Sequence, residues 1–192
     1  LTFFILKNIT TDFLFYTILI SAAFFLFFTT LKELFLKKFI NVSQVIAHFG
    51  FSLFILAILF NSILSSEIIT NIKVGEKYNF NKSEIFFKKI EEKKESNFNS
   101  IIGHFRITDK KGKVVELKPE IRIYNQPEII TSEADIKTTL LEDKFLVMNI
   151  VKGDEYFNIR YQIKPFMLWI WVSVLILSLG GLISLFKKKY EK

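Results

Sequence analysis

Few residues in this 192-residue chain have the chemistry to hold a cofactor or move charge, and one of them stands where a polar group is least expected. His48 lies in Ala47-His48-Phe49-Gly50, within residues 39–66, a stretch free of Lys, Arg, Asp and Glu. An imidazole at membrane depth costs free energy, so it marks a functional site by default. Neutral histidine is the commonest metal ligand, and haem iron takes axial histidines from helices. Two roles are open to His48: a metal or haem-iron ligand, or a hydrogen-bonded packing residue near the interface. A b-type haem with two protein ligands needs a second facing histidine. His104 is the only other one, in Ile101-Ile102-Gly103-His104-Phe105-Arg106, far from the apolar stretches and read as a strand residue with an exposed ring. A haem on His48 would therefore be completed by a helix outside this chain.

Two polar clusters come next. In Pro119-Glu120-Ile121-Arg122-Ile123-Tyr124, period two puts Glu120, Arg122 and Tyr124 on one strand face. There Arg122 could clamp a haem propionate or a partner carboxylate, or form an internal ion pair. Arg160, Tyr161 and Lys164 form the second cluster, beside the last apolar stretch, where snorkelling anchors are the default. The chain contains no cysteine, which excludes a disulfide framework, a thiol nucleophile and Cys-ligated zinc. No Ser/His/Asp grouping, paired-carboxylate site, phosphate-binding Gly loop or nucleotide motif is present, so no complete catalytic site is expected.

The elements that must position these groups are written in the charge pattern. Residues 13–31, 39–66 and 165–186 carry no charged side chain, and each approaches the ~20 apolar residues needed to cross a bilayer. We read membrane spans at 13–31, 44–65 and 165–186. The basic connection 32–38 and the tail 187–192 fall on the same side under the positive-inside rule, leaving residues 66–164 on the other. Net charge is +7, but residues 66–164 carry 18 Lys and Arg against 16 Asp and Glu; the excess sits beside the spans, which argues against nucleic acid. Trp169, Trp171 and Tyr161 are expected as an aromatic belt at the outer mouth of the third span. Ser43, Ala47, Gly50, Ala57 and Asn61 in the second span, and Ser178, Gly180, Gly181 and Ser184 in the third, are small-residue stripes suited to close helix packing.

Residues 66–164 read as β. Strands are expected at Ile101–Thr108, Val114–Leu117, Ile121–Tyr124, Phe145–Ile150 and Tyr156–Ile163, with a hairpin turn over Asp109–Lys113. Thr131–Leu141 reads as a helix capped by Ser132, and Glu91–Asn99 as a charged loop. The wealth of Phe (23 residues), Ile, Asn and Lys suggests AT-rich coding, as in a reduced bacterial or organellar genome. The start at Leu1 is that of a fragment, a processed product or an unusual start codon. The first span lacks a signal-peptide cleavage site and is long enough to stay in the bilayer.

Several stretches together resemble the CcmF/CycK/NrfE family of cytochrome c-type biogenesis proteins. They are Ala47-His48-Phe49-Gly50 opening a span; Pro119-Glu120-x-Arg122-x-Tyr124 followed by Ser132-Glu133-Ala134-x-Ile136; and Arg160-Tyr161-x-x-Lys164-Pro165, then Trp169, then Leu179-Gly180-Gly181 and a basic stop. Order and spacing agree over roughly residues 43–190, the C-terminal part of the family. The resemblance implies a subunit or fragment of a haem lyase, which takes haem from the chaperone CcmE and, with CcmH, attaches it to apocytochrome c. It also implies a b-haem between two intramembrane histidines, His48 matching one. The tryptophan-rich WWD segment, its flanking histidines and the first membrane histidine belong upstream, so an N-terminal CcmF part must supply them. The family's outer-domain Gly-Pro-Asn-Tyr element is reduced here to Asn97-Phe98.

The expectation is a membrane α+β protein: three transmembrane helices with a β-rich extracytoplasmic domain between helices 2 and 3, divided as 1–65, 66–164 and 165–192. His48 is expected as an axial ligand of haem b, and Arg122 and Arg160 as further cofactor contacts. The partners are the N-terminal CcmF part, CcmH, CcmE, apocytochrome c and membrane lipid, with no nucleic acid. The location is a bacterial or mitochondrial inner membrane, with 66–164 on the periplasmic or intermembrane side. The alternative is a non-catalytic membrane assembly subunit without haem.

Overall fold

The structure, a computed structural model, describes residues 13–36, 41–81, 83–109, 112–151 and 155–190. Chain order is helix α1 (Phe13–Leu36) and helix α2 (Val42–Leu64), then ten strands, then helix α3 (Met167–Tyr190). All three helices are long and apolar enough to cross a membrane, over Leu14–Glu33, Val42–Leu64 and Met167–Phe186. The first continues past the expected end at residue 31: Lys32 and Glu33 stay helical, while Lys37 and Lys38 lie outside the described residues. The chain forms two compact units. One takes the chain up to Ser65, Leu140–Glu142 and Pro165 onward; the other takes Ser66–Thr139 and Asp143–Lys164.

The second unit is a β-sandwich. Its first sheet has the order β1 (Ser66–Ile72), β10 (Phe157–Pro165), β9 (Glu142–Ile150), β8 (Asp135–Thr138). The second runs β2 (Lys77–Phe80), β3 (Ser83–Lys94), β4 (Phe98–Asp109), β6 (Glu120–Asn125), β7 (Glu128–Glu133), with β5 (Val114–Leu117) also on β4. The long β4 serves two partners in turn, pairing β6 through residues 98–102 and β5 through 105–108. Period-two alternation turns Ile85, Phe87, Phe105, Ile107, Leu117 and Ile121 inward from one sheet, against Ile72, Leu146, Met148, Ile159 and Tyr161 from the other. Phe87 and Phe105 stack at 4.2 Å between ring centroids. The Asp109–Lys113 turn closes as expected, with Gly112 at φ +76° and its N–H donating to the Asp109 carbonyl at 3.0 Å; Lys110 and Lys111 lie outside the described residues.

Four expectations for this unit are corrected. Thr131–Leu141 is no helix: it divides into the end of β7 and all of β8, because pairing with β6 and β9 supplies the backbone hydrogen bonds a helix would otherwise make. Glu91–Asn99 is not one loop, since β3 runs to Lys94 and β4 starts at Phe98, leaving only a tight connection closed by Glu95 N–H to the Phe98 carbonyl. Tyr161 belongs to the sandwich core, fully buried, and to no aromatic belt. His104 is a strand residue, but its ring is mostly covered and its Nε2 lies 2.9 Å from Glu91 Oε2.

Candidate functional site

In the helical unit the small residues of α2 form a contact surface, met from α3 by Gly180, while Ser178, Gly181 and Ser184 are exposed. A Cβ on Gly50 would sit 2.6 Å from the Leu177 nitrogen, and one on Gly180 would sit 2.6 Å from the Ala47 nitrogen. Only glycine allows α2 and α3 to meet this closely. Ser43 Oγ donates to the Gly180 carbonyl at 2.9 Å, and Asn61 Nδ2 donates to the Pro165 carbonyl at 2.6 Å. Gly181 has open space around it, so of the glycine pair only Gly180 makes the contact. A second side of α2 meets α1: Ile20 and Leu59 are buried together, Phe27 lies 5.2 Å from Phe49, and Phe24 lies 6.2 Å from Phe60.

The third side of α2 is open. At ~100° per residue, Gln44, His48, Phe51 and Ile58 fall within an arc of about 80°, bordered about 20° away by Leu59 on the α1 side and by Ala47 on the α3 side. All four side chains are exposed. Neither His48 nor Gln44 has a hydrogen bond or ion pair among the described residues. Among the described residues of this helical unit, no side chain hydrogen-bonds the ring. A neutral imidazole without a hydrogen-bond partner among the described residues has the chemistry to bind a metal. No cluster of three or more His, Cys, Asp or Glu suited to a metal occurs among the described residues.

In the β unit both candidate arginines are engaged. Arg122 Nε donates to Glu120 Oε1 and Nη2 to Glu120 Oε2, each at 3.0 Å, while its guanidinium stands 5.1 Å over the Phe98 ring. Ser100 Oγ adds a 2.6 Å hydrogen bond to the same carboxylate. Arg122 pulls the Glu120 carboxyl below its usual range, and the pairing raises the guanidinium further. Arg160 makes the same fork with Glu67, at 2.7 and 3.1 Å, and Gln162 Nε2 joins at 2.5 Å. That arginine likewise lowers the Glu67 carboxyl. The period-two reading placed Glu120 and Arg122 together correctly. What it missed is the cross-strand partner Glu67, paired through β1–β10 register from 93 positions away, which no local pattern reveals.

Comparison with known proteins now bears on these features. Residues 63–165, more than half the chain, match the family model described as the CcmF C-terminal beta-sandwich. The cytochrome c-type biogenesis protein CcmF of Escherichia coli is 29% identical over 150 residues, covering 78% of this chain and 23% of that protein. CcmF of Pseudomonas fluorescens is 27% identical over 146 residues, covering 76% of this chain and 22% of its own length. NrfE of Haemophilus influenzae is 24% identical over 181 residues, 91% of this chain and 28% of that protein. This chain thus spans about a quarter of the length of the relatives it matches. A solved structure of cytochrome c heme lyase CcmF shares the fold with a TM-score of 0.59 at 21% identity, over 73% of this chain and 24% of that one. The sandwich, the apolar helices around it in sequence and the spread of relatives agree: this chain belongs to the CcmF family and carries its C-terminal β-sandwich.

Proposed function

We propose that this chain acts as the C-terminal part of a CcmF-type haem lyase in cytochrome c maturation, helping to move haem from a haem chaperone to apocytochrome c. The observation that carries the proposal is an unpartnered His48 on the open face of an apolar helix, in a chain whose sandwich is that of the family. The helices cross a bacterial or mitochondrial inner membrane, with the basic connection and tail inside and residues 66–164 on the periplasmic or intermembrane side. Segments 1–65 and 165–192 then form the membrane part, and 66–164 the outer domain. A polar pair such as Gln44 and His48 is unfavourable against lipid, so this face packs against another polypeptide carrying the missing partner.

His48 would hold haem b through its imidazole, and the upstream CcmF region with its WWD segment would supply the rest of the site. Bound haem supplies a redox-active iron. This chain's residues would contribute the His48 imidazole and, through the Gly50 and Gly180 contact, the closely packed helix pair that carries it. No residue here is assigned to thioether chemistry. Arg122 and Arg160 meet carboxylates within their own sheets; to reach a propionate, each would have to give up Glu120 or Glu67. The outer domain is the docking body for CcmH, CcmE or the apocytochrome.

Deletion of the chain in its own organism tests the proposal. Covalent haem in c-type cytochromes should vanish while b-type cytochromes persist. Unchanged c-type cytochromes would leave only the haem-free assembly reading.

A further inference from the structure

Thr139, Leu140 and Leu141 separate β8 from β9, yet Leu140–Glu142 belongs to the helical unit. The Phe166 N–H donates to the Leu141 carbonyl at 2.8 Å, and Trp169 Nε1 donates to the Leu140 carbonyl at 2.8 Å. Two consecutive carbonyls are thereby captured by the first turn of α3. That turn is itself fixed: Phe166 adopts φ +60°, Trp169 N–H returns to the Phe166 carbonyl at 3.0 Å, and Asn61 holds the Pro165 carbonyl. With their carbonyls turned to the helix, Leu140 and Leu141 present their side chains outward, 70% and 65% exposed. Trp171, one turn into the helix, is 63% exposed.

Water is a poor neighbour for two adjacent leucines held this rigidly. Their position decides what covers them. They sit at the head of Met167–Phe186, a stretch apolar enough to span a bilayer, and therefore at the level where hydrocarbon gives way to headgroups. Trp169 reads the same way: its N–H is satisfied by a protein carbonyl, leaving an amphipathic ring at the interface, where tryptophan is enriched. Farther along α3, Val174, Leu175 and Leu179 are also exposed.

We propose that Leu140-Leu141 is a membrane-inserting foot, dipping into the headgroup–acyl boundary of the outer leaflet and fixing the depth of α3 through the Phe166 and Trp169 hydrogen bonds. The occupant of this apolar surface is phospholipid. The inference rests on the membrane reading of α3 given above.

The chain has no cysteine, so single labels can be placed in the full chain without further change. An NBD fluorophore on Leu141→Cys is measured in vesicles of phosphatidylcholine and phosphatidylglycerol. We expect loss of emission with lipid spin-labelled near the headgroup and little loss with aqueous iodide. Quenching by iodide alone, or by neither agent, overturns the foot. A label on Leu179→Cys, midway along α3, reports the span separately and should be quenched by lipid spin-labelled deep in the acyl chain. If Leu179 is quenched and Leu141 is not, only the foot falls; if neither meets lipid, the membrane reading falls with it.

Discussion

Replacing Gly180 by alanine probes the helix pair that carries His48, and its cost can be worked from the contact itself. The added methyl would lie 2.6 Å from the Ala47 nitrogen and 2.9 Å from the Ala47 Cβ, where ordinary contact begins at 3.4 Å. Backbone cannot yield as a flexible side chain would, so the helices must part by about 0.8 Å. That separation stretches the 2.9 Å Ser43–Gly180 hydrogen bond to ~3.7 Å, past bonding distance. Overpacking of this kind costs about 1–3 kcal/mol, and an interhelical hydrogen bond in a membrane contributes roughly 0.6 kcal/mol. Alanine's better helix propensity offsets up to about 1 kcal/mol. Gly181→Ala gains the same propensity without the clash, since nothing lies within 4 Å of its Cβ. The difference between the two variants therefore isolates the packing penalty, about 2–3 kcal/mol. Unfolding of the full chain in mixed micelles with increasing dodecyl sulfate, followed by helical circular dichroism, measures it. Equal stabilities for Gly180→Ala and Gly181→Ala would refute the close contact.

Two further predictions concern the sandwich. Phe87→Ala removes a fully buried ring stacked on Phe105 and edge-on to Phe157, and should cost about 3–5 kcal/mol in urea unfolding followed by the β-sheet signal. Glu120 has a folded pKa below its ordinary value of 4.5, caused first by the Arg122 hydrogen bond. Its stabilising effect is therefore present above pH 4.5 and lost as pH falls through the lower folded value. Glu120→Gln should flatten the acid side of the stability profile below that pH while leaving neutral-pH unfolding cooperative; an unchanged acid limb would contradict the Arg122–Glu120 pairing.

The helices were legible because a bilayer-length run without charge has few other uses, and the close-packing face of α2 because small residues recur along it; of the expected α3 stripe only Gly180 makes the contact, Ser178, Gly181 and Ser184 being exposed. Strands with clean alternation, such as Ile101–Thr108 and Val114–Leu117, were equally plain. The far half of β3 was not: beyond Ile90, Glu91-Glu92-Lys93-Lys94 is exposed, so no apolar alternation records its pairing with β4. Glu133-Ala134-Asp135 behind Ser132 has the composition of a helix start, yet edge pairing with β6 and β9 overrides local preference there. Tyr161 looked interfacial by its nearness to the last span, whereas its inward register beside Ile159 puts it in the core. For the site, sequence singled out His48 but not its direction. That depends on which two sides of α2 are taken by α1 and α3, a tertiary choice leaving Gln44, His48, Phe51 and Ile58 as the open stripe.

The central claim is that the open face of α2 presents His48 to haem shared with the upstream CcmF region. Co-purifying the full chain with that region and recording the reduced visible spectrum tests it most directly. A b-type haem spectrum is expected that disappears in His48→Ala and survives in His104→Ala, with the assembly intact by size in both. A spectrum unchanged by His48→Ala would contradict it.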